Sequence, residues 1–388
     1  MLTFTAFSGI NNVLPSERLT TDALTVAQNV DIDLTGQVSR RSGFTRSSVD
    51  AHTNLFQTSG YLLATKGLNG DLTNLDTDSV LYPSLGHARV WYVELPDGRV
   101  AFSNGLINGI TDGATRTAWG IPVPSSIGAW MEVAGDLFPG DYQYQLTYVR
   151  LSDGLEGGPL YSEPITVDTG GIFLSGLPAL AGYKINLYLT AHNGGEAYLA
   201  GSTTNGLFTY IGKNDALVLP CRTDFMAPAP AGRCLAFWRG RALVAVGNVL
   251  YASRTNQWEL FDPKRDFKQF VDAITVVVPV DDGIYVGTEK ELAYLSGTTW
   301  DQLQYRKVMS GPVALGSGVS VRGELVKQGE GAGIGLAAIC IADGRIVAGF
   351  NGGGLVRMTE GRYHTDATEV FATFRMLNGT PQYLAIPQ

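Results

Sequence analysis

Histidine and carboxylate side chains are the groups that could do acid–base or metal chemistry in this chain, and they are few and scattered. The four histidines are His52, His87, His192 and His364. None has a second histidine at the spacing of a zinc site. His364 stands among carboxylates in the segment RYHTDATE (362–369) and is the best candidate for a metal ligand or general base, with a turn histidine as the alternative. We therefore predict no metal site.

Motifs of known enzyme classes give no catalytic set. The sequence has neither a G-x-S-x-G elbow nor a phosphate loop. GEGAGIG (329–335) is a superficial match to a dinucleotide-binding fingerprint, but it lies between predicted strands, whereas that fingerprint needs a following helix. SGTTW (296–300) matches the end of the Asp-box of sialidases but lacks its aspartate. We predict no catalytic residue and no cofactor, and hence a protein that is not an enzyme.

Two groups of acidic residues need an explanation. Asp281, Asp282, Glu289 and Glu291 could supply paired carboxylates for glycoside hydrolysis. However, an Asp-Asp-Gly sequence is typical of a hairpin turn, where acidic side chains are solvated. Asp31 and Asp33 have a spacing found in calcium loops, but the rest of such a loop is missing, so they more simply mark strand ends or caps.

Four residues are predicted to make contacts with other molecules. Arg40 and Arg41 precede a glycine turn and could pair with carboxylates of a neighbouring chain, with a solvated turn as the alternative. Trp258 and Phe261 belong to an aromatic-rich run, residues 256–270, that could form an interface or cap a sheet.

Composition indicates the elements that must position these residues. The chain has 388 residues and 48 glycines, about an eighth of the total against an average near 7%, while only 16% of residues are charged. Abundant glycine with few charges fits an all-β protein with many tight turns. The length suggests two domains, or one domain with an insertion.

Charge and cysteine content exclude several classes of protein. The net charge is −8 and no run of lysine and arginine occurs, so nothing drives binding to DNA or to an anionic membrane. No apolar stretch approaches the length of a membrane span, so we expect no membrane insertion. Three cysteines do not make a disulfide framework. Cys221 and Cys234 could pair, and buried free thiols are the alternative.

Short strand patterns separated by turns dominate the chain after residue 60. ARVWYVE (88–94) and RVAFSN (99–104) are joined by Pro96-Asp97-Gly98, in which proline presets φ and glycine accepts a positive φ. Groups of three or four such strands recur, each spanning about 35 to 50 residues, which is typical of β-propeller blades. A single large sandwich is the alternative.

Two segments depart from this pattern. Residues 1–43 carry scattered apolar positions and predict an extended arm, with a two-turn helix over residues 21–30. Residues 129–226 alternate along tyrosine-rich strands and predict an immunoglobulin- or fibronectin-like sandwich. We predict that this sandwich interrupts a propeller formed by residues 44–128 and 227–388.

The first part of the chain contains a GINN start (9–12), an AQNVDID segment (27–33) and a G-x-x-x-R-R-x-G turn (36–43). In the order of these parts, the sequence resembles the β-propeller tail proteins of tailed bacteriophages, of the nozzle or hub type. The segment YVRLSDGLEGGPLYSEPITV (148–167) is also similar to fibronectin-type modules inserted in phage tail proteins.

The resemblance implies a structural virion protein, made in the host cytoplasm, that forms a ring of about six copies. That ring would continue the tail channel, contact other tail, adaptor or fibre proteins, and let DNA pass without sequence-specific binding. The negative charge suits such a channel, or else it lies on the outside of the ring. The alternatives are a receptor- or glycan-binding propeller, which needs a concave cluster of Trp and Tyr, and a sialidase- or glycosidase-type enzyme, which needs carboxylates and arginines in a central cavity.

Overall fold

The computed structural model describes residues 6–33, 35–43, 45–326, 334–377 and 379–388, and these ranges are built almost entirely from β-strands. The all-β prediction is confirmed. Helical structure in these ranges is limited to short 3-10 turns at Ser16–Arg18, Asn214–Ala216, Trp300–Gln302, Gly323–Leu325 and Asn351–Gly353. None of the described helices has the length and apolar character needed to cross a membrane.

The helix predicted over residues 21–30 is wrong. This stretch contains a two-residue strand, Ala23–Leu24, and the first residue of another strand. A helix of two turns is marginal unless it packs on a core, and the β-branched Thr25 and Val26 weaken it further. No residue between 21 and 30 is fully buried, so that packing is missing.

The arm, residues 6–43, consists of two small strand pairs. Its strands are β1 (Gly9–Ile10), β2 (Ala23–Leu24), β3 (Val30–Ile32) and β4 (Val38–Arg40). β1 pairs with β2 in parallel, and β3 and β4 form an antiparallel hairpin. Within its described residues, Gly36 alone is fully buried, so the arm has no hydrophobic core of its own.

The body begins with two four-stranded antiparallel meanders, in which each strand pairs with the next one along the chain. Meander 1 contains β5 (His52–Gln57), β6 (Leu62–Lys66), β7 (Asp71–Asn74) and β8 (Ser79–Tyr82), and meander 2 contains β9 (Trp91–Glu94), β10 (Val100–Ser103), β11 (Asn108–Thr111) and β12 (Arg116–Thr117). The predicted Pro-Asp-Gly turn joins β9 to β10, and Gly98 has the expected positive φ of 82°.

The strands between residues 129 and 210 pair with one another in three small sheets. They are β13 (Ala129–Ala134), β14 (Gly140–Tyr142), β15 (Tyr144–Arg150), β16 (Leu160–Tyr161), β17 (Ile165–Val167), β18 (Gly170–Ser175), β19 (Tyr183–Thr190), β20 (Ala197–Thr203) and β21 (Phe208–Tyr210). We call this part the middle unit. Its sheets share one core, in which Tyr144, Leu146 and Ile185 are at most 1% exposed.

Three further meanders follow the middle unit. Their strands are β22 (Arg233–Trp238), β23 (Arg241–Val246), β24 (Val249–Arg254), β25 (Gln257–Phe261) and the side strand β26 (Phe267–Gln269) in meander 3; β27 (Ile274–Val280), β28 (Gly283–Thr288), β29 (Glu291–Ser296) and β30 (Gln304–Ser310) in meander 4; and β31 (Val319–Arg322), β32 (Leu336–Ala342), β33 (Arg345–Gly349) and β34 (Leu355–Arg357) in meander 5. A hairpin of β35 (Val370–Leu377) and β36 (Thr380–Pro387) comes last.

Each meander packs on the next one through a shared apolar core. Separate clusters of buried side chains join meanders 1 and 2, 2 and 3, 3 and 4, and 4 and 5. The hairpin continues the series, because Phe374 and Tyr383 pack on meander 5. Successive face-to-face packing of four-stranded meanders is a propeller-like arrangement.

Candidate functional site

The first strands of meanders 1 to 4 and the first strand of the final hairpin line a common cavity of about 750 Å³. Its walls include residues 53–56 of β5, 89–92 at the start of β9, 234–235 of β22, 275–277 of β27 and 371–373 of β35. We call it the central cavity. Many of these wall residues belong to strands, whereas Arg89 and Val90 directly precede β9.

Four aromatic rings line this cavity, and two of them contact the guanidinium group of Arg89. The rings of Phe56 and Tyr92 stack with centroids 4.9 Å apart. The guanidinium carbon of Arg89 lies 4.1 Å from the centre of the Trp91 ring and 4.4 Å from that of Phe371. Burial lowers the pKa of Arg89, and the carboxylate of Glu369, 3.5 Å away, opposes that effect. The arrangement offers flat apolar surfaces around a cation.

Two buried hydroxyls of the cavity lining have no hydrogen-bond partner among the described residues. They belong to Tyr92 and Thr275. A buried polar group without a partner is costly, so each is a potential contact for a bound molecule or water. The neighbouring Cys234 thiol donates to the Thr275 carbonyl at 3.2 Å, and burial raises its pKa to about 12, so it stays protonated at neutral pH.

The ionisable side chains in the described lining are His87, Arg89, Tyr92 and Cys234. A carboxylate also lies close to this set, because Glu369 pairs with the Arg89 guanidinium at 3.5 Å.

The arm contacts the body through two adjacent asparagines. The side chain of Asn12 donates from Nδ2 to the His364 carbonyl and accepts the His364 N–H at Oδ1, both at 2.8 Å. The Asn12 N–H donates to the Arg362 carbonyl at 3.0 Å, and Asn11 Nδ2 donates to the Gly361 carbonyl at 3.4 Å. We call residues 361–364 the dock. In these four hydrogen bonds the dock contributes backbone atoms and no side-chain atoms.

Local hydrogen bonds hold the two asparagines in position. The Oδ1 atom of Asn11 accepts the N–H groups of Val13 and Leu14 at 3.1 and 3.0 Å, which forms a turn directly after Asn12. The parallel pairing of β1 with β2 fixes the chain on the other side. The only signal for this contact in the sequence is the doubled asparagine of the GINN segment.

A buried carboxylate joins the middle unit to two meanders. Glu259, with 5% of its side chain exposed, accepts from Arg99 at 2.7 Å and from Arg150 at 2.8 Å. Each arginine also pairs with an exposed acid, Arg99 with Asp97 and Arg150 with Asp153. The hydrogen bonds that Arg150 donates to the Asp153 carboxylate are the main cause that raises the pKa of Arg150. We call these five residues the ion cluster; its arginines come from meander 2 and the middle unit, and Glu259 from meander 3.

The two aromatic residues that the sequence predicted as interaction sites differ in how far they are buried. Phe261 is 1% exposed and meets Trp119 edge-to-face at 5.8 Å, so it caps the core between meanders 2 and 3. Its assignment as an interaction residue is corrected, because a fully buried ring offers no surface to a partner. Trp258 is half-buried, packs edge-on against Phe237 and donates to the Gly240 carbonyl at 3.0 Å.

The two predicted arginines lie at the end of the arm hairpin. Arg40 is exposed on β4, and the Arg41 N–H donates to the Asn29 carbonyl at 2.9 Å. A partner in another chain stays a prediction for both. Asp33 caps the hairpin turn, since its carboxylate accepts the N–H groups of Thr35 and Gln37 at 2.8 and 2.9 Å.

The other acidic candidates lie in or next to the turns of meander 4, with Asp281 and Asp282 between β27 and β28, Glu289 after β28 and Glu291 at the start of β29. Asp281 accepts the Leu336 N–H at 2.8 Å, and Asp282 accepts the Tyr294 hydroxyl at 2.5 Å, so both fix contacts between strands. Glu291 pairs with an exposed lysine, and Glu289 lines a second cavity of about 590 Å³ together with His364. No cluster of three potential metal ligands occurs in the part of the chain that the structure describes.

The structure also describes the cysteines, the SGTTW segment and part of the glycine-rich segment. All three cysteines are free thiols, so Cys221 and Cys234 do not pair. Trp300 of the SGTTW segment is buried in a 3-10 turn. The glycine-rich segment 329–335 lies outside the described residues apart from 334 and 335.

No protein-family model and no curated protein matches this chain. Among solved structures, the chain is similar to a streptogramin B lyase structure at 8% identity and a TM-score of 0.33, covering 88% of this chain and 96% of that one. It is also similar to BBS1N in complex with ARL6DN (13%, TM-score 0.32, 87% and 90% covered) and to the WD40 domain of SCAP from fission yeast (8%, TM-score 0.25, 77% and 63% covered). Likenesses this weak carry no functional argument.

Proposed function

We propose that this chain is a structural assembly protein whose arm connects copies into a ring within the tail of a tailed bacteriophage. The observation that carries the proposal is the arm itself. In its described residues the arm has no buried apolar core and exposes apolar side chains, and it hydrogen-bonds to the body at the dock. An element of this kind adds little to the folding of its own chain and is suited to holding neighbours together.

The body in this proposal is a closed propeller interrupted by a β-sandwich. Support for closure comes from Arg89 at the start of meander 2, which donates to the Val370 carbonyl of the final hairpin at 2.7 Å. Support for the sandwich comes from the single core shared by the sheets of the middle unit. The ion cluster would hold that sandwich in a fixed orientation on the ring of blades.

The biological setting follows the resemblance of the sequence to nozzle and hub proteins. A ring of about six copies would continue the tail channel and contact adaptor, fibre or other tail proteins. The net charge of −8 would let DNA pass without adhering, because like charges suppress phosphate contacts. In this proposal the chain has no catalytic role, no cofactor and no inserted membrane segment, and it resides in the virion after synthesis in the host cytoplasm.

The assembly state of the purified protein tests this proposal. Native mass spectrometry and single-particle imaging would compare the full chain with a chain lacking residues 1–43. None of the apolar core clusters of the body contains an arm residue, so we expect the shortened body to fold. A ring that is lost on truncation supports the proposal, and a monomer at all concentrations for both proteins contradicts it.

A second candidate function, binding of a small carbohydrate or similar ligand, is favoured by the central cavity. The sequence-based criterion for it is a concave cluster of Trp and Tyr, and Trp91 and Tyr92 line the cavity with Phe56 and Phe371. Titration of neutral and acidic oligosaccharides, followed by tryptophan fluorescence, tests this function. Saturable quenching that disappears in W91A supports it, and no response at millimolar sugar removes it.

A further inference from the structure

We propose that the arm exchanges between copies, so that Asn12 of one copy docks on residues 361–364 of a second copy. The hydrogen bonds would be the four that join arm and dock within this chain. The inference deepens the proposed function and rests on it, because it names the contact that links one copy to the next.

The dock identifies the partner as a second copy of the same chain. The side-chain amide of Asn12 makes two hydrogen bonds with the backbone of His364, one as donor and one as acceptor, each at 2.8 Å. Because all copies have the same sequence, every copy carries one arm with this asparagine and one dock that can bind it. Exchange of an identical element between protomers loses no contact, and in a closed ring every dock is filled.

The connection between arm and body permits the exchange. Residues 41–51 separate β4 from β5, and their described part contains neither strand nor helix. Arg46 bonds locally, donating from Nε to the Ser48 carbonyl at 2.6 Å. Eleven residues can span at most about 40 Å when extended, which is long enough to reach across an interface.

Exposed apolar side chains on the arm favour the exchanged form. Four of them are at least 40% exposed, namely Val13, Leu14, Val26 and Val38. Docking within the chain leaves these side chains in water. A neighbouring body would cover part of them, so the exchanged form gains apolar contact that docking within one chain lacks.

The test uses two full-length variants that each disable one half of the contact. N12D keeps an acceptor but replaces the donor to the His364 carbonyl with a carboxylate oxygen. H364P removes the N–H that Asn12 Oδ1 accepts. H364A is the matched control, because it retains that N–H and changes only the side chain. Each protein is examined by native mass spectrometry alone and after mixing, with circular dichroism as the check of folding.

Arm exchange predicts that N12D and H364P lose the ring separately and form 1:1 pairs when mixed. In such a pair, the intact arm of H364P occupies the intact dock of N12D, and the reverse contact is broken. H364A should assemble as the unmodified protein does. If N12D and H364P each still form the ring, docking of Asn12 on residues 361–364 is not the link between copies, so the inference is wrong while the ring of the proposed function stands.

A titration keeps the inference testable if H364P does not fold. N12D accepts an arm but donates none, so adding it to the unmodified protein should shorten assemblies in proportion to its share of the mixture. If docking occurs only within each chain, N12D leaves the assembly of the unmodified protein unchanged. That result, or the absence of any mixed pair between folded N12D and H364P, would overturn the exchange.

Discussion

Replacement of Glu259 by alanine is expected to loosen the joint between the middle unit and the meanders. Glu259 accepts from Arg99 at 2.7 Å and from Arg150 at 2.8 and 3.2 Å, and only 5% of its side chain is exposed. The alanine variant would leave two guanidinium groups without their shared carboxylate.

The size of the effect follows from the burial of each cation. Removing one partner of a buried ion pair costs about 3–5 kcal/mol, because the remaining charge is left without compensation. Arg99 is 32% exposed and Arg150 11%, and each keeps a second acid, so hydration and those acids reduce the penalty. We therefore expect a cost near the lower end, about 3 kcal/mol.

Hydrogen exchange measured by mass spectrometry is the appropriate assay, since a chain of this size need not unfold in one step. A loss of about 3 kcal/mol should accelerate exchange more than a hundredfold wherever opening of this joint controls it. The affected peptides should cover β15 and β25, which carry Arg150 and Glu259. E259Q keeps the shape but removes the charge and should give an intermediate rate.

Glu360 provides the matched control. It is a surface acid with half of its side chain exposed, 3.5 Å from Arg357 and 3.7 Å from Arg345. Exposed pairs contribute about 0–1 kcal/mol, so E360A should change exchange little. If E259A and E360A give the same exchange at β15 and β25, the ion cluster is not a structural joint and the reasoning fails.

Three further variants or measurements test other parts of the structure. R89A should cost about 2 kcal/mol, because a carbonyl of the hairpin loses its donor, and faster exchange in β35 would check it. G158A should cost about 1–3 kcal/mol in thermal unfolding, since an added Cβ would lie 1.6 Å from the Met226 carbonyl oxygen; an unchanged melting temperature would contradict this. Burial raises the pKa of Cys234 and Cys340 to about 12, so iodoacetamide at pH 8 should modify both only after unfolding, and rapid labelling of the folded protein would show that they are accessible.

The all-β fold could be predicted because its signals are local. Strand alternation and turn residues act over a few positions, and the hairpin at Gly98 needs nothing beyond its neighbours. The helix expected over residues 21–30 failed because its propensity was weak and no core supported it. The prediction for Phe261 was wrong because the residue looked like a surface aromatic in its own segment, whereas side chains from another meander bury it in a shared core.

The candidate sites could not be predicted because they depend on distant pairs. Asn12 and His364 are 352 residues apart. The dock contributes only backbone atoms to these hydrogen bonds, so the contact does not require particular residue types that a sequence pattern could show. Glu259 is 109 residues from Arg150 and resembles an ordinary solvated acid in the sequence. The central cavity combines residues from several sheets, so its aromatic character appears only once the meanders are packed.

The dock lies directly before the segment that joins the final hairpin to the first half of the body. Glu369 and Val370 follow the dock by a few residues and contact Arg89 of meander 2. Leu315 also pairs with Glu369 as an isolated bridge. Docking of Asn12 should therefore restrain the hairpin as well as the dock.

This arrangement gives a prediction for the protein under conditions where it is monomeric. N12D should accelerate exchange in residues 361–370 and in β35, because the segment that carries Glu369 loses its restraint on one side, while β15 in the middle unit stays unchanged. Equal exchange in N12D and the unmodified protein at β35 would show that the dock moves independently of the hairpin. If the two are coupled, an arm received from a neighbouring copy would stabilise the hairpin of the chain that receives it, so that assembly would strengthen the fold of each member of the ring.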